Sequence, residues 1–226
     1  MKSKKQSASG KGVFISFEGP ECAGKTTQIR MLQEYFNKKN IDTVVTREPG
    51  GTVIGEELRK IVKHHVGETA VVDEAEVLLF AASRAQHVHK VIIPALNSGI
   101  NVICDRYVDS TTAYQGYGRG IDLELLRSII NISTCNITPD ITFYLDIEPE
   151  EAMKRKFSKK SIPLDFDNEE LDRMEQSGIE FYRHVQQGYR EIMRLNNERF
   201  VCINALQSVN NIHNYIVTCL KNRFPA

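Results

Sequence analysis

The sequence has no tryptophan and no net charge, and no stretch of it approaches the ~20 consecutive apolar residues of a membrane-spanning helix. A membrane-spanning protein is therefore not expected. Lys plus Arg and Asp plus Glu number 29 each, so any anion site must come from local placement of charge, and a bulk nucleic-acid partner is not expected. The five cysteines are odd in number and include no C-x-x-C pair. That removes a zinc ribbon or a redox disulfide and fits a reducing, cytoplasmic setting. Four lysines (Lys2, Lys4, Lys5 and Lys11) mark the N-terminus without the apolar stretch of a secretory signal, so residues 1–12 read as a flexible basic tail. What remains, residues 13–226, belongs to a chain with 41% hydrophobic and 26% charged residues, a balance suited to one domain with a real core.

Five short apolar runs, at 13–18, 42–46, 100–104, 140–145 and 200–203, are mostly rich in β-branched residues and apolar on both faces. They predict strands of a parallel sheet covered by helices on each side. Apolar residues at three- and four-residue spacing predict helices over 25–39, 55–65, 73–96, 172–195 and 210–221. Strand and helix alternate, which predicts an α/β fold of right-handed crossovers forming a doubly wound sheet of five parallel strands. Ligands of such sheets sit beyond the carboxyl ends of the strands.

Directly after the first run stands Gly19-Pro20-Glu21-Cys22-Ala23-Gly24-Lys25-Thr26-Thr27, a full match to G-x-x-x-x-G-K-[ST] between strand and helix. Backbone N–H groups of such a loop wrap a polyphosphate, the helix N-terminus adds positive potential, and Lys25 supplies a cation. Thr26 offers a hydroxyl to a magnesium ion. Cys22 reads as a small residue that fits the turn. The chain has no D-x-x-G, and Asn37-Lys38-Lys39-Asn40 lacks the terminal carboxylate of a guanine-reading motif, so a switch GTPase is disfavoured.

Arg47 follows the second run and Asp105-Arg106 the third. Two arginine forks, each at the carboxyl end of a predicted strand, predict a second phosphate-bearing substrate facing the first. Asp105 can hold magnesium or orient Arg106. On these residues alone the alternatives are another nucleoside monophosphate or deoxynucleoside kinase, or a nucleotide-binding module without catalysis.

The segments Phe17-Glu-Gly-Pro-Glu21, Thr46-Arg-Glu-Pro-Gly-Gly51, Leu79-Phe-Ala-Ala-Ser-Arg84, Cys104-Asp-Arg-Tyr-Val-Asp-Ser110 and Ala113-Tyr-Gln-Gly-Tyr-Gly-Arg119 together resemble thymidylate kinases of the bacterial type, in the nucleoside monophosphate kinase group of P-loop proteins. The resemblance spans nearly the whole chain after residue 12. It implies transfer of the γ-phosphate of ATP to dTMP with magnesium, giving dTDP and ADP, by a homodimer packed through helices, with 73–96 as a plausible surface. It implies that Phe80 stacks on thymine, Arg84 donates to a base carbonyl, and Ser110, Thr111, Tyr114 and Gln115 read base and sugar. Arg47 and Arg106 clamp the acceptor phosphate, Glu21 approaches the sugar 3′-hydroxyl, and Glu48 shapes the turn that follows it. A lid over roughly 154–172 carries the cation that assists transfer, with Arg155, Lys160 and Arg173 as candidates, and 204–207 holds adenine through backbone contacts.

Overall fold

The structure, a computed structural model, describes residues 10–65, 69–160 and 178–225. Its sheet has five strands, β1 (Phe14–Glu18), β2 (Thr43–Arg47), β3 (Asn101–Asp105), β4 (Ile141–Asp146) and β5 (Phe200–Asn204), in the order β2-β3-β1-β4-β5 with every pairing parallel. All five predicted strands are present. The central strands β1, β3 and β4 are buried almost throughout, whereas β2, an edge strand, is half-buried, with Val45 37% exposed. The expectation of two apolar-covered faces holds for the centre of the sheet and fails at this edge.

Helices α1 (Lys25–Lys38) and α9 (Val209–Arg223) cover one face, where Phe17, Ile103 and Phe143 meet Leu32, Phe36, Ile216 and Leu220. On the other face Phe14, Val102 and Cys104 pack against Val88, Ile92, Leu96 and Tyr107. The predicted 73–96 helix is three pieces: α3 (Asp73–His87), a π-helical turn (Val88–Ile92) and α4 (Ile93–Asn97). Pro94 accounts for the break, since it has no N–H to continue the ladder and its ring crowds the carbonyl one turn earlier.

Helix α2 (Val53–His64) starts where Thr52 accepts a hydrogen bond from the Gly55 amide. Unforeseen elements follow β3 and flank β4: α5 (Val108–Thr111) continues into a π-helical stretch (Thr112–Gly118), then come α6 (Leu123–Thr134), capped by Asp122, and α7 (Pro149–Lys160). Helix α8 (Gly178–Leu195) packs on the π-helical stretch and buries Phe181, Val185 and Tyr189 with Tyr114 and Tyr144. Gly12, assigned to the tail by sequence, is buried and donates from its amide to the Leu96 carbonyl at 2.9 Å. Residues 154–160 belong to helix α7, and the rest of the expected lid, 161–172 with Arg173 beside it, lies outside the described residues. Among the described residues no helix is long and apolar enough to cross a membrane.

Candidate active site

A cavity of about 370 Å³ opens at the carboxyl ends of β1, β2 and β3. One wall is the glycine-rich loop. Gly19 has φ +130, and a Cβ there would sit 2.5 Å from the Leu145 carbonyl, so only glycine lets the loop leave β1 beside β4. Gly24 has φ +101 with open space around it, and it begins α1 without any side-chain cap. The first amides of a 14-residue helix are thereby left facing outward as anion donors. The Lys25 ammonium is buried and donates to the carbonyls of Gly19 at 3.0 Å and Pro20 at 2.9 Å. Burial and the nearby Arg106 charge lower its pKa to about 8 against the opposing pull of Asp105, Glu18 and Glu21. Cys22 stands in the left-handed region at φ 57, and Ala23 is buried beneath the loop.

Thr26 Oγ1 donates to Asp105 Oδ2 at 3.4 Å, and Asp105 Oδ1 is buried without a hydrogen-bond partner among the described residues. A hydroxyl beside a carboxylate with a lone pair to spare suits a hard divalent cation such as magnesium. No cluster of three or more His, Cys, Asp or Glu capable of holding a metal exists among the described residues, so such an ion would take most of its oxygens from phosphate and water.

The opposite wall holds the arginines. Arg106 sits in the left-handed region at φ 68, fixed there by its amide on the Phe17 carbonyl (2.9 Å) and by the Tyr107 amide on Glu18 Oε1 (2.7 Å). Its guanidinium donates to Ser110 Oγ at 3.1 Å and lies 5.1 Å from the Tyr114 ring centre. Burial works against this charge, but Tyr114, Tyr189, Asp105 and Glu18 outweigh it and hold the pKa above the ordinary arginine value. Arg47 is half-exposed and ion-paired with Glu56 at 2.8 Å. Glu56 also accepts from the Gly51 amide at 3.0 Å. Although burial raises its pKa, the Arg47 and Gly51 hydrogen bonds prevail and keep its carboxyl below the usual range.

Phe80 is half-buried and lines the cavity next to Arg84. Arg84 is almost fully buried, donates through Nε to Glu48 Oε2 at 2.7 Å and through Nη2 to Thr111 Oγ1 at 2.8 Å, and so has the partner that a buried charge requires. Glu48 Oε1 meets His87 Nδ1 at 2.9 Å, and His87 Nε2 meets Thr46 Oγ1 at 2.7 Å. The turn after Glu48 is held by other groups, Ser83 Oγ on the Gly50 amide and Glu56 on the Gly51 amide, so the turn-shaping role expected of Glu48 belongs to them. Gln115 and Tyr114 are buried in the cavity wall, and burial pushes the Tyr114 phenol up.

A glycine-rich loop and a second cationic wall with an aromatic ring sharing one cavity describe a class of enzyme, and sequence comparison narrows the class. The family model for thymidylate kinase matches residues 17–216. The chain belongs to the thymidylate kinase family. It is 58% identical over 214 residues to the thymidylate kinase of Pelodictyon phaeoclathratiforme, covering 95% of this chain and 98% of that protein. The thymidylate kinase of Chlorobaculum tepidum is 50% identical over 208 residues, covering 92% and 96%. The crystal structure of the thymidylate kinase from Ehrlichia chaffeensis superposes with a TM-score of 0.71 at 32% identity, over 93% of this chain and 99% of that one.

Within this thymidylate kinase fold, Glu21, Arg47, Phe80, Arg84, Asp105, Arg106, Ser110, Thr111, Tyr114 and Gln115 all line the cavity with the loop residues Cys22, Gly24, Lys25, Thr26 and Thr27. Arg155 does not reach the loop: its Nη2 donates to the Ala205 carbonyl at 3.1 Å, past the end of β5. From the same basic run, Lys156 lies 3.5 Å from Glu21. Ser110 and Thr111 direct their hydroxyls to protein partners, Ser110 to Glu18 Oε2 at 2.6 Å and Thr111 as acceptor for Arg84.

Glu18 is a buried carboxylate behind the cavity wall that the sequence pattern leaves hidden. It is fully buried, accepts from the Tyr107 amide, Ser110 and the Tyr189 hydroxyl, and has its pKa raised to about 7 by burial and by Asp109, against Arg106, Ser110 and Tyr189. Its one signal in the sequence is a carboxylate closing a strand buried on both faces, the same signal that marks Asp105. Arg59 and Lys63 on α2 also line the cavity, and no motif points to them.

Proposed function

We propose that this chain phosphorylates dTMP with ATP, giving dTDP and ADP. The observation that carries the reading is that one cavity joins an uncapped helix N-terminus with a buried lysine to a second cationic wall bearing an aromatic ring. Two phosphate-bearing molecules can face each other there, and phosphoryl transfer is largely a matter of positioning and charge compensation.

On the donor side, the amides opening α1 and Lys25 hold the terminal phosphates, with Glu21, Cys22, Gly24, Thr26 and Thr27 lining the cavity around them and Gly19, Pro20 and Ala23 completing the loop behind. Lys25 already lies against two carbonyls, so phosphate oxygens replace weaker neutral acceptors as its partners. Thr26 and Asp105 would hold magnesium, which when bound neutralises charge on the phosphate oxygens.

On the acceptor side, Arg106 meets the monophosphate and Arg47 joins it by exchanging Glu56 for a more highly charged partner. Phe80 gives a stacking surface, Arg84 presents the hydrogens of Nη1 to a base carbonyl, and Tyr114 lies under the sugar. Ser110 and Thr111 act through Arg106 and Arg84, which they hold. Arg155 belongs to the nucleoside end of ATP, where the Ala205 carbonyl holds it, and Lys156 is the member of the basic run near the transfer point through Glu21.

Helices α3 and α6 pack side by side and expose Leu78 (60%), Leu125 (54%) and Ile132 (80%), which supports a homodimer through this pair of helices. A Leu78→Glu variant that sediments as a monomer where the wild type is a dimer is the outcome expected. For the reaction, ADP release is coupled to NADH oxidation with ATP, magnesium and dTMP. ADP formation no faster with dTMP than without it would sink the reading.

A further inference from the structure

Gln115 is 2% exposed in the cavity wall, and its amide nitrogen donates to Glu76 Oε1 at 2.8 Å. Glu76 is fully buried in the first turn of α3, with the Arg119 guanidinium 3.8 Å from the same oxygen. A carboxylate only accepts hydrogen bonds, so it dictates which end of the neighbouring amide faces it. The nitrogen of Gln115 is thus committed to α3, which leaves the carbonyl oxygen as the end of the amide available to a ligand. Arg84, in the same wall, is a donor at every position and is held by a different buried carboxylate, Glu48. The wall therefore combines an obligate donor, held in place from behind, with an acceptor whose polarity is set from behind.

We propose that Glu76 is a positioning residue that makes the pocket select pyrimidines carrying a hydrogen on N3. This rests on the dTMP reading and deepens it. Thymine and uracil present a C4 carbonyl next to N3–H, which complements an arginine donor next to a glutamine carbonyl. Cytosine presents an amino group next to a bare N3. It would set donor against donor and acceptor against acceptor in a buried wall, where unpaired polar groups are costly. Glu76 touches no substrate, and its effect passes through the orientation of Gln115.

The test compares kcat/KM for dTMP, dUMP and dCMP in the wild type, in Glu76→Gln, and in the double variant Glu76→Gln with Gln115→Glu. The wild type should prefer dTMP to dCMP by about a hundredfold or more, since its wall mismatches cytosine at both positions. In Glu76→Gln the amide at position 76 can offer either end, so Gln115 is free to turn. The dTMP-to-dCMP ratio should then fall about tenfold, chiefly through KM, while the dTMP-to-dUMP ratio stays unchanged. In the double variant the amide now at position 76 donates to one oxygen of the carboxylate now at position 115. The other oxygen of that carboxylate faces the ring as an obligate acceptor, so the preference should return. Parallel losses for dTMP and dCMP with an unchanged ratio would show a purely structural role and overturn the proposal. So would wild-type turnover of dCMP within about tenfold of dTMP, a measurement that stands even if Glu76→Gln fails to fold. No turnover of dTMP by the wild type would refute the kinase reading itself, whereas dTMP turnover without the ratio change refutes only the role of Glu76.

Discussion

Glu18→Gln should change how the stability of the fold depends on pH. In the native state burial beside Asp109 raises this carboxyl from its ordinary 4.5 to about 7. Between those two values the folded chain binds a proton that the unfolded chain releases, so stability falls as pH rises through the interval. The contribution is fully present below the unfolded value and lost above the folded one. At about 1.4 kcal/mol for each pH unit of separation, the difference reaches about 3 kcal/mol. Glutamine is neutral throughout and can keep bonds to the Tyr107 amide and Ser110. The assay is urea unfolding of both proteins at intervals from about pH 5 to about pH 8, with the difference in unfolding free energy plotted against pH. Groups that do not interact with Glu18 titrate alike in both proteins and cancel. The wild type should lose about 2.5 kcal/mol relative to the variant across that range, which begins just above the unfolded value. A difference that stays flat would mean that the carboxyl is ionised in the native state at all these pH values, and the reasoning from its burial would fail.

Three further outcomes are expected. Arg106→Ala should lower kcat/KM for dTMP by about a hundredfold or more while ATP binding, followed by fluorescence of a labelled analogue, is retained; turnover like the wild type would remove the clamp assignment. Phe80→Ala should raise KM for dTMP about tenfold with little change in kcat, as loss of a stacking face predicts, and an unchanged KM counts against stacking. Arg199 makes a paired contact to Asp109 at 2.6 and 2.8 Å and a third to Thr142, so Arg199→Ala should cost about 3 kcal/mol in chemical unfolding, with a cost near zero showing the pair to be solvated.

The fold is legible in the sequence to the extent that it depends on apolar periodicity. Each strand is a short β-branched or aromatic run, and the loop between Gly19 and Thr27 is a spacing pattern that names its own chemistry. Less visible is anything created by packing. The stretch 112–118 contains Gly116 and Gly118 and has little intrinsic reason to be helical; it is held by α8, with Tyr117 lodged over Gly188. Helix α7 is unforeseen, its residues from 154 onward being assigned to a lid, although Pro149 at its first position followed by Glu150 and Glu151 is a helix start. The carboxylates Glu18, Glu48 and Glu76 are hardest to interpret because a letter in the sequence carries charge but not depth. Their partners are 36 to 171 residues away along the chain in the bonds Arg84–Glu48, Gln115–Glu76 and Tyr189–Glu18.

Arg47 and Asp105 are register partners in the β2–β3 ladder, and Phe17 pairs with Asp105 across β1. The spacing between the arginine, the carboxylate and the loop is thus a property of main-chain hydrogen bonding, as stiff as the sheet and indifferent to which side chains lie nearby. The groups proposed to contact a nucleobase, Phe80, Arg84, Tyr114 and Gln115, hang from α3 and from residues 112–118 instead. Under the proposed function labour divides accordingly: strands would keep the reacting ends in step, and helices would decide what is admitted. A change of diet in such a molecule would have to be written on the helices, leaving the machinery beneath them untouched.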